Sequence, residues 1–243
     1  MKNIAFIPAR IGSTRLAKKA LAKISKETLL SIAIKKTILS NSFDEIICLG
    51  DSNEFRLLSQ EHDIKYINRD PNTATNTAKA DEVVNEIILK TKSDNIFWIN
   101  LTHPFTTINT IKNSVNKLST SEDLDSLFTA HGWLGHASFD SFFEVPLNYD
   151  KDSQFAQTQY MKEIYLFTYG LMAWQTSSFI KRFKDYSSAM TNGKIGTIQV
   201  SRLESIWIKN QSDLNMVNTI VNNQNIWDFI KKKINKKFLS FCF

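Results

Sequence analysis

The sequence predicts an α/β protein with a doubly wound, mainly parallel sheet, and three observations carry the prediction. Short apolar runs rich in β-branched and aromatic residues alternate with longer stretches whose apolar residues recur every three to four positions. That alternation marks strand–helix–strand units, whose crossover helices cover both faces of a parallel sheet. The first run, residues 3–7, ends at Pro8 and opens directly into a loop carrying Gly12, Ser13 and Thr14 among Arg10, Arg15, Lys18 and Lys19. Residues 95–101, N-I-F-W-I-N-L, give the clearest buried strand.

In chain order, residues 27–40 carry Leu29, Leu30, Ile32, Ala33, Ile34, Ile38 and Leu39 at helical spacing, broken by Ser31 and the pair Lys35-Lys36. Residues 45–49 form a strand closed by Gly50-Asp51, residues 53–62 a short helix, and residues 64–67 a further strand. The polar stretch 69–79 has no apolar period and is long for a plain connection. Val83, Val84, Ile87 and Ile88 make one face of the helix after it, for which Asn76 or Thr77 suits the N-cap. A helix at 111–118 and a strand at 126–130 follow. Residues 132–160 have neither period and many aromatics (Trp133, Phe139, Phe142, Phe143, Tyr149, Phe155, Tyr160), so they read as an inserted lid or dimerisation arm. Within it His136, Asp140 and Glu144 are either substrate contacts or solvated side chains. A strand at 164–174, a short helix at 177–183 and a strand at 195–200 complete the alternation. Residues 225–237 read as an amphipathic helix and 238–243 as an aromatic tail that docks on the core or a partner, or on a membrane surface if a second signal is present. The whole, 1–243, reads as one domain with an arm at about 132–160.

Composition bounds the partners. A formal charge of +6 suits anions, although part of it is local to Lys231, Lys232, Lys233, Lys236 and Lys237. No zinc-finger spacing, RNP pattern or basic zipper is present, which ranks nucleic acid low. No apolar run is long enough to span a membrane, and the start is too soon broken by Pro8 and Arg10 for a signal peptide. Cys48 sits in an apolar run as a small core residue, and neither it nor Cys242 has metal-ligand spacing, so a cytoplasmic setting is expected.

The loop after the first strand offers backbone N–H groups, hydroxyls and positive charge at a strand's carboxyl end, which suits a polyphosphate. It lacks the G-x-x-x-x-G-K-[ST] pattern. The stretch resembles the N-terminal signature of the cytidylyltransferases that activate acidic sugars such as acylneuraminate and Kdo, I-P-A-R-x-x-S-x-x-x-P-x-K-x-L. Ile7, Pro8, Ala9, Arg10, Ser13, Lys19 and Leu21 match, while the usual Pro-Gly before the lysine is Ala17-Lys18. Further on, Arg69 and the run Asn76-Thr77-Ala78 resemble an Arg…Asp-Thr-Ala motif. Asn100-Leu101-Thr102-His103-Pro104-Phe105-Thr106 resembles Q-P-T-S-P-L-R, with Asn100 for the glutamine and Thr106 for the arginine. Thr168-Tyr169-Gly170 stands where Asn-Gly-Ala is usual.

The resemblance implies a nucleotide-diphospho-sugar transferase-like fold and transfer of CMP from CTP to a sialic acid-like or Kdo-like sugar, with loss of pyrophosphate, for surface polysaccharide synthesis. It implies nucleotide contacts from Ala9, Arg10, Gly12, Ser13, Arg15, Lys19, Arg69 and Thr77, acceptor contacts from Asn100, Thr102 and His103, and a homodimer completed through the arm. His103 is open to a base, a structural or a substrate-contact role. A Mg²⁺ ion would bridge the phosphates, held by aspartates in E-S-x-D-I-D-T-x-x-D-L. Here Glu204, Ser205, Ile208, Asp213 and Leu214 match, but Trp207 and Lys209 replace those aspartates, and Asp213 falls where a helix first-turn acid is ordinary. Arg10, Lys19 and Lys209 are therefore the catalytic candidates, Lys209 as an ammonium in place of the metal. The alternative is a degenerate member that binds nucleotide or sugar without catalysis.

Overall fold

A computed structural model describes residues 1–142, 144–152, 157–191 and 193–223. The expected C-terminal helix and aromatic tail, with Cys242 and the terminal lysine cluster, lie outside these residues, as do Phe143 and Phe155 of the arm. In order, the elements are β1 (Asn3–Ala9), β2 (Lys23–Ile24), β3 (Glu27–Thr28), α1 (Leu29–Ser40), β4 (Glu45–Gly50), α2 (Asn53–Glu61), β5 (Lys65–Asn68), α3 (Ala80–Leu89), β6 (Asn95–Ile99), α4 (Ile108–Thr120), β7 (Ser126–Trp133), β8 (Ile164–Gln175), α5 (Thr176–Tyr186), β9 (Ile195–Gln199) and α6 (Gln211–Asn222).

Seven strands form one sheet in the order β5-β4-β1-β6-β8-β7-β9. β1 pairs in parallel with β4 and β6, β4 with β5, and β7 with β9, while β8 runs antiparallel between β6 and β7. The strand period of two explains why both faces are apolar. Ile4 and Phe6 of β1 join Ile47, Leu49, Ile96, Met172 and Trp174 in one core, which Val84 and Ile87 of α3 and Phe179 of α5 cover. Ala5, Ile7 and Ala9 turn the other way, to Cys48, Phe97, Ile99, Leu171 and Ala173 under α1, α4 and α6. This is the doubly wound, mainly parallel sheet that the alternation predicts. Burial pushes the Cys48 thiol up to about 11, as befits an unreactive core residue.

The differences from the sequence reading are local. The hairpin β2–β3, too short to show a period, precedes α1. Thr28 caps α1 by accepting from the Ser31 N–H at 3.0 Å. The N-cap of α3 is Lys79, not Asn76 or Thr77, and the Glu82 carboxylate reaches back to the Lys79 N–H at 2.9 Å. Helix α4 begins earlier than expected because Thr107 caps it, accepting from the Thr110 N–H at 3.0 Å. Strand β7 runs on through Trp133, so the first residues assigned to the arm belong to the sheet.

In the arm, Ser138 bridges Pro146 and the Asp140 carboxylate accepts from the N–H groups of Phe142, Glu144 and Val145. Those bonds, led by that of Glu144, lower the Asp140 pKa to about 2. Glu144 pairs with Lys151 at 3.0 Å and His136 packs on the Tyr149 ring. Asp140 and Glu144 thus fold the arm on itself. No helix among the described residues is long and apolar enough to cross a membrane.

Candidate functional site

From β1 the chain winds outward to β4 and β5 and then returns to β6 on the other side of β1. The strand order therefore reverses beside the carboxyl end of β1, where open α/β sheets bind ligands. Four segments meet there: the loop 10–18, the loop 69–79, the turn 100–107 after β6, and the segment 201–210 before α6.

Cross-links fix the loop after β1. The Ile11 N–H donates to Asp51 Oδ1 at 2.8 Å, and Arg10 Nη1 donates to Asn76 Oδ1 at 2.6 Å. Lys18 adopts a left-handed conformation and its ammonium lies 3.8 Å from Glu54. Gly12 and Arg15 are exposed, Ser13 is half-buried, and Ala9 is buried at the strand's end. Lys19 is buried and donates to the carbonyls of Ile208, at 3.2 Å, and Lys209, at 2.8 Å. It thereby ties the N-terminal loop to the segment before α6. Burial lowers its pKa, and the neighbouring Arg15 and Arg10 push in the same direction against Asp213. These cations stand close enough to repel one another, an arrangement that a polyanion relieves.

Arg69 is buried, and its guanidinium donates to the Thr73 carbonyl. Glu86, also buried, accepts from the Asp70 N–H at 2.7 Å and from Lys90 at 2.5 Å. Arg69 thus braces the loop 69–79. Burial lowers its pKa, and Glu86 and then Asp51 oppose that. Thr77 is exposed at the tip of this loop, its hydroxyl 3.2 Å from that of Thr75.

The three predicted acceptor residues do meet, but they engage one another. Asn100 Oδ1 accepts from the N–H and hydroxyl of Thr102, at 3.1 and 2.7 Å, while its Nδ2 donates to the Tyr169 carbonyl at 3.2 Å. His103 is 1% exposed; its Nδ1 lies 3.4 Å from the Thr102 hydroxyl, and its ring stacks at 18° on Trp207. Burial lowers the His103 pKa to about 3, with Lys36 and Lys209 adding to the shift and the Thr168 backbone opposing it. Burial thus favours the neutral ring, and the His103 contacts among the described residues are those of a packed side chain.

The supporting contacts of several residues around the site carry no sequence signal. Lys36, which interrupts an apolar helical face in sequence, is 2% exposed and donates to the carbonyls of His103 and Pro104, at 3.1 and 3.0 Å. Gly170 abuts the same turn: a Cβ there would lie 2.9 Å from Thr106 Oγ1. Beside it Tyr169 has φ 59°, next to the register shift between β7 and β8. Asp51 is visible in sequence only as the residue after a strand-ending glycine.

The described residues around this site do not fit a metal held by the protein. Among the described residues no three His, Cys, Asp or Glu side chains are grouped to hold an ion. The Asp213 carboxylate accepts from the N–H groups of Lys209 and Asn210, at 2.7 and 3.1 Å, and caps α6. Glu204 is buried and accepts from the Thr107 N–H at 3.0 Å and the Thr110 hydroxyl at 2.5 Å, pinning the segment to α4. At the expected ligand positions stand Trp207 and Lys209, the Lys209 ammonium 4.4 Å from the centre of the Trp207 ring.

Comparison with known proteins agrees with this fold. The fold is similar to that of CMP:2-keto-3-deoxy-manno-octonic acid synthetase, solved with CTP, at a TM-score of 0.67 and 14% identity over 90% of this chain and 98% of that one. It is similar also to 4-diphosphocytidyl-2C-methyl-D-erythritol synthase from Anaerococcus prevotii, at a TM-score of 0.66 and 14% identity over 91% of this chain and 99% of that one. In sequence the chain is 31% identical over 96 residues to pseudaminic acid cytidylyltransferase of Campylobacter jejuni. That alignment takes in 39% of this chain and only 41% of the relative. The profile of the cytidylyltransferase family matches residues 4–190, a span that includes the basic loop, the bracing loop and the turn after β6. The chain belongs to the cytidylyltransferase family.

Proposed function

We propose that the protein transfers CMP from CTP to an acidic sugar of the pseudaminic acid or Kdo kind. The observation that carries this reading is the cluster of Arg10, Arg15 and Lys19 around a loop of small residues, at the switch point of a cytidylyltransferase sheet. In the reaction the acceptor hydroxyl oxygen attacks the α-phosphorus. A new O–P bond forms, the bond from the α-phosphorus to the bridging oxygen breaks, pyrophosphate leaves with that oxygen, and the hydroxyl proton passes to water.

Such a step depends on positioned positive charge rather than a covalent nucleophile, because charge spreads over the phosphate oxygens. The exposed Arg15 meets the outer phosphates, with Gly12 and Ser13 supplying backbone and hydroxyl donors. Arg10 and Lys19 hold the loop and add field at the transferred phosphate. Thr77, on the facing loop, contacts the nucleoside, and Arg69 braces that loop. The turn made by Asn100, Thr102 and His103 shapes the acceptor side, with His103 acting through Trp207. Exposed Phe139, Phe142 and Tyr160 of the arm support a second copy of the chain closing over that side.

The test is pyrophosphate release from CTP with pseudaminic acid, Kdo and a neutral hexose as acceptors, with UTP in parallel. Release confined to CTP with an acid sugar is expected; release with none of them overturns the reading. One observation favours a second reading, a nucleotide binder without turnover: the ligand positions are Trp207 and Lys209. On that reading the protein takes up CTP yet releases no pyrophosphate with any acid sugar.

A further inference from the structure

We propose that Lys209, laid against Trp207, takes the place of a divalent cation, so that the protein binds CTP without Mg²⁺. This rests on reading the cluster as a CTP site and concerns how that site neutralises the triphosphate.

The Lys209 backbone is pinned on both sides. Its N–H donates to Asp213 Oδ2 at 2.7 Å, and its carbonyl accepts from Lys19 at 2.8 Å. The ammonium then rests over the Trp207 ring at 4.4 Å, and that ring stacks on the buried His103. A lysine alone is a flexible point charge. Here the anchored peptide and the aromatic face confine it, and its charge acts on His103. Lys209 remains exposed, so a ligand can reach the ammonium.

The surroundings oppose a metal. The carboxylates of Asp213 and Glu204 are taken up by backbone N–H and hydroxyl donors, Asp51 gives one oxygen to the Ile11 N–H, and Glu54 faces Lys18. Arg10, Arg15 and Lys19 repel an incoming cation and attract a bare polyphosphate. A hard divalent ion requires several oxygen ligands, and an ammonium supplies none.

The experiment is CTP titration by calorimetry of the full chain, in magnesium and in excess EDTA, for the wild type, Lys209→Ala and Lys209→Arg. Wild-type affinity should change by less than about threefold between the buffers, against the roughly tenfold or greater loss expected where an ion carries the contact. Lys209→Ala should lose roughly tenfold or more in EDTA, the scale of one charge-assisted hydrogen bond, and Lys209→Arg should keep most of the affinity. A wild type that binds CTP only with magnesium overturns the proposal and leaves the CTP site standing. So does a Lys209→Ala that binds in EDTA as the wild type does. A wild type that binds CTP in neither buffer overturns the CTP site itself and this proposal with it.

Discussion

Replacing His103 by glutamine should flatten the acid limb of the stability curve. In the folded protein the ring is 1% exposed and its pKa is lowered to about 3, chiefly by burial and then by Lys36. In the unfolded chain it titrates near the ordinary value of about 6.5. The folded state thus binds fewer protons, and stability falls as pH drops from the unfolded pKa toward the folded one. With these values, moving from about pH 7.5 to about pH 5 removes roughly 2 kcal/mol through this residue alone. The assay is urea unfolding of wild type and His103→Gln at both pH values. Glutamine has its own packing cost at either pH, so the informative quantity is the difference between the two losses. The wild type should lose about 2 kcal/mol more than the variant. If the two lose stability in parallel, His103 is not a buried neutral ring and the packing assigned to the turn after β6 is wrong.

Arg15→Ala, at an exposed position, should leave unfolding free energy within about 0.5 kcal/mol yet weaken CTP binding roughly tenfold, as denaturant titration and calorimetry would show. Gly170→Ala would set a Cβ 2.9 Å from Thr106 Oγ1, and thermal melting should register a loss of about 1–3 kcal/mol. Glu204→Ala removes the acceptor of the Thr107 N–H and leaves the Thr110 hydroxyl only its contact with the Thr107 hydroxyl; a loss of about 1–3 kcal/mol in urea unfolding is expected.

The fold was legible in sequence because its central strands are buried on both faces and most of its helices carry an apolar face. In the run 3–7 alone, Ile4 and Phe6 feed one core while Ala5 and Ile7 feed the other. What escaped lies where no period operates. A two-residue hairpin has none, and the cap of α3 is set by Glu82 reaching back to Lys79 rather than by the small polar residues upstream. The basic loop stood out in sequence as a candidate anion site because a strand end, small residues and cations coincide in eleven or so consecutive positions. The supports of the site were not, since contacts such as Lys19 to the Lys209 carbonyl or Lys36 to the His103 carbonyl join distant parts of the chain. Lys36 reads in sequence only as a break in an apolar helical stretch, and the packing of α1 against the turn after β6 shows it to be buried.

A crystal structure of the protein with CTP tests the proposed nucleotide site most directly. The triphosphate is expected at the carboxyl end of β1, in contact with the loop 10–18 and within reach of Arg15 and Lys209. A triphosphate seated elsewhere on the sheet, with that loop untouched, would contradict it.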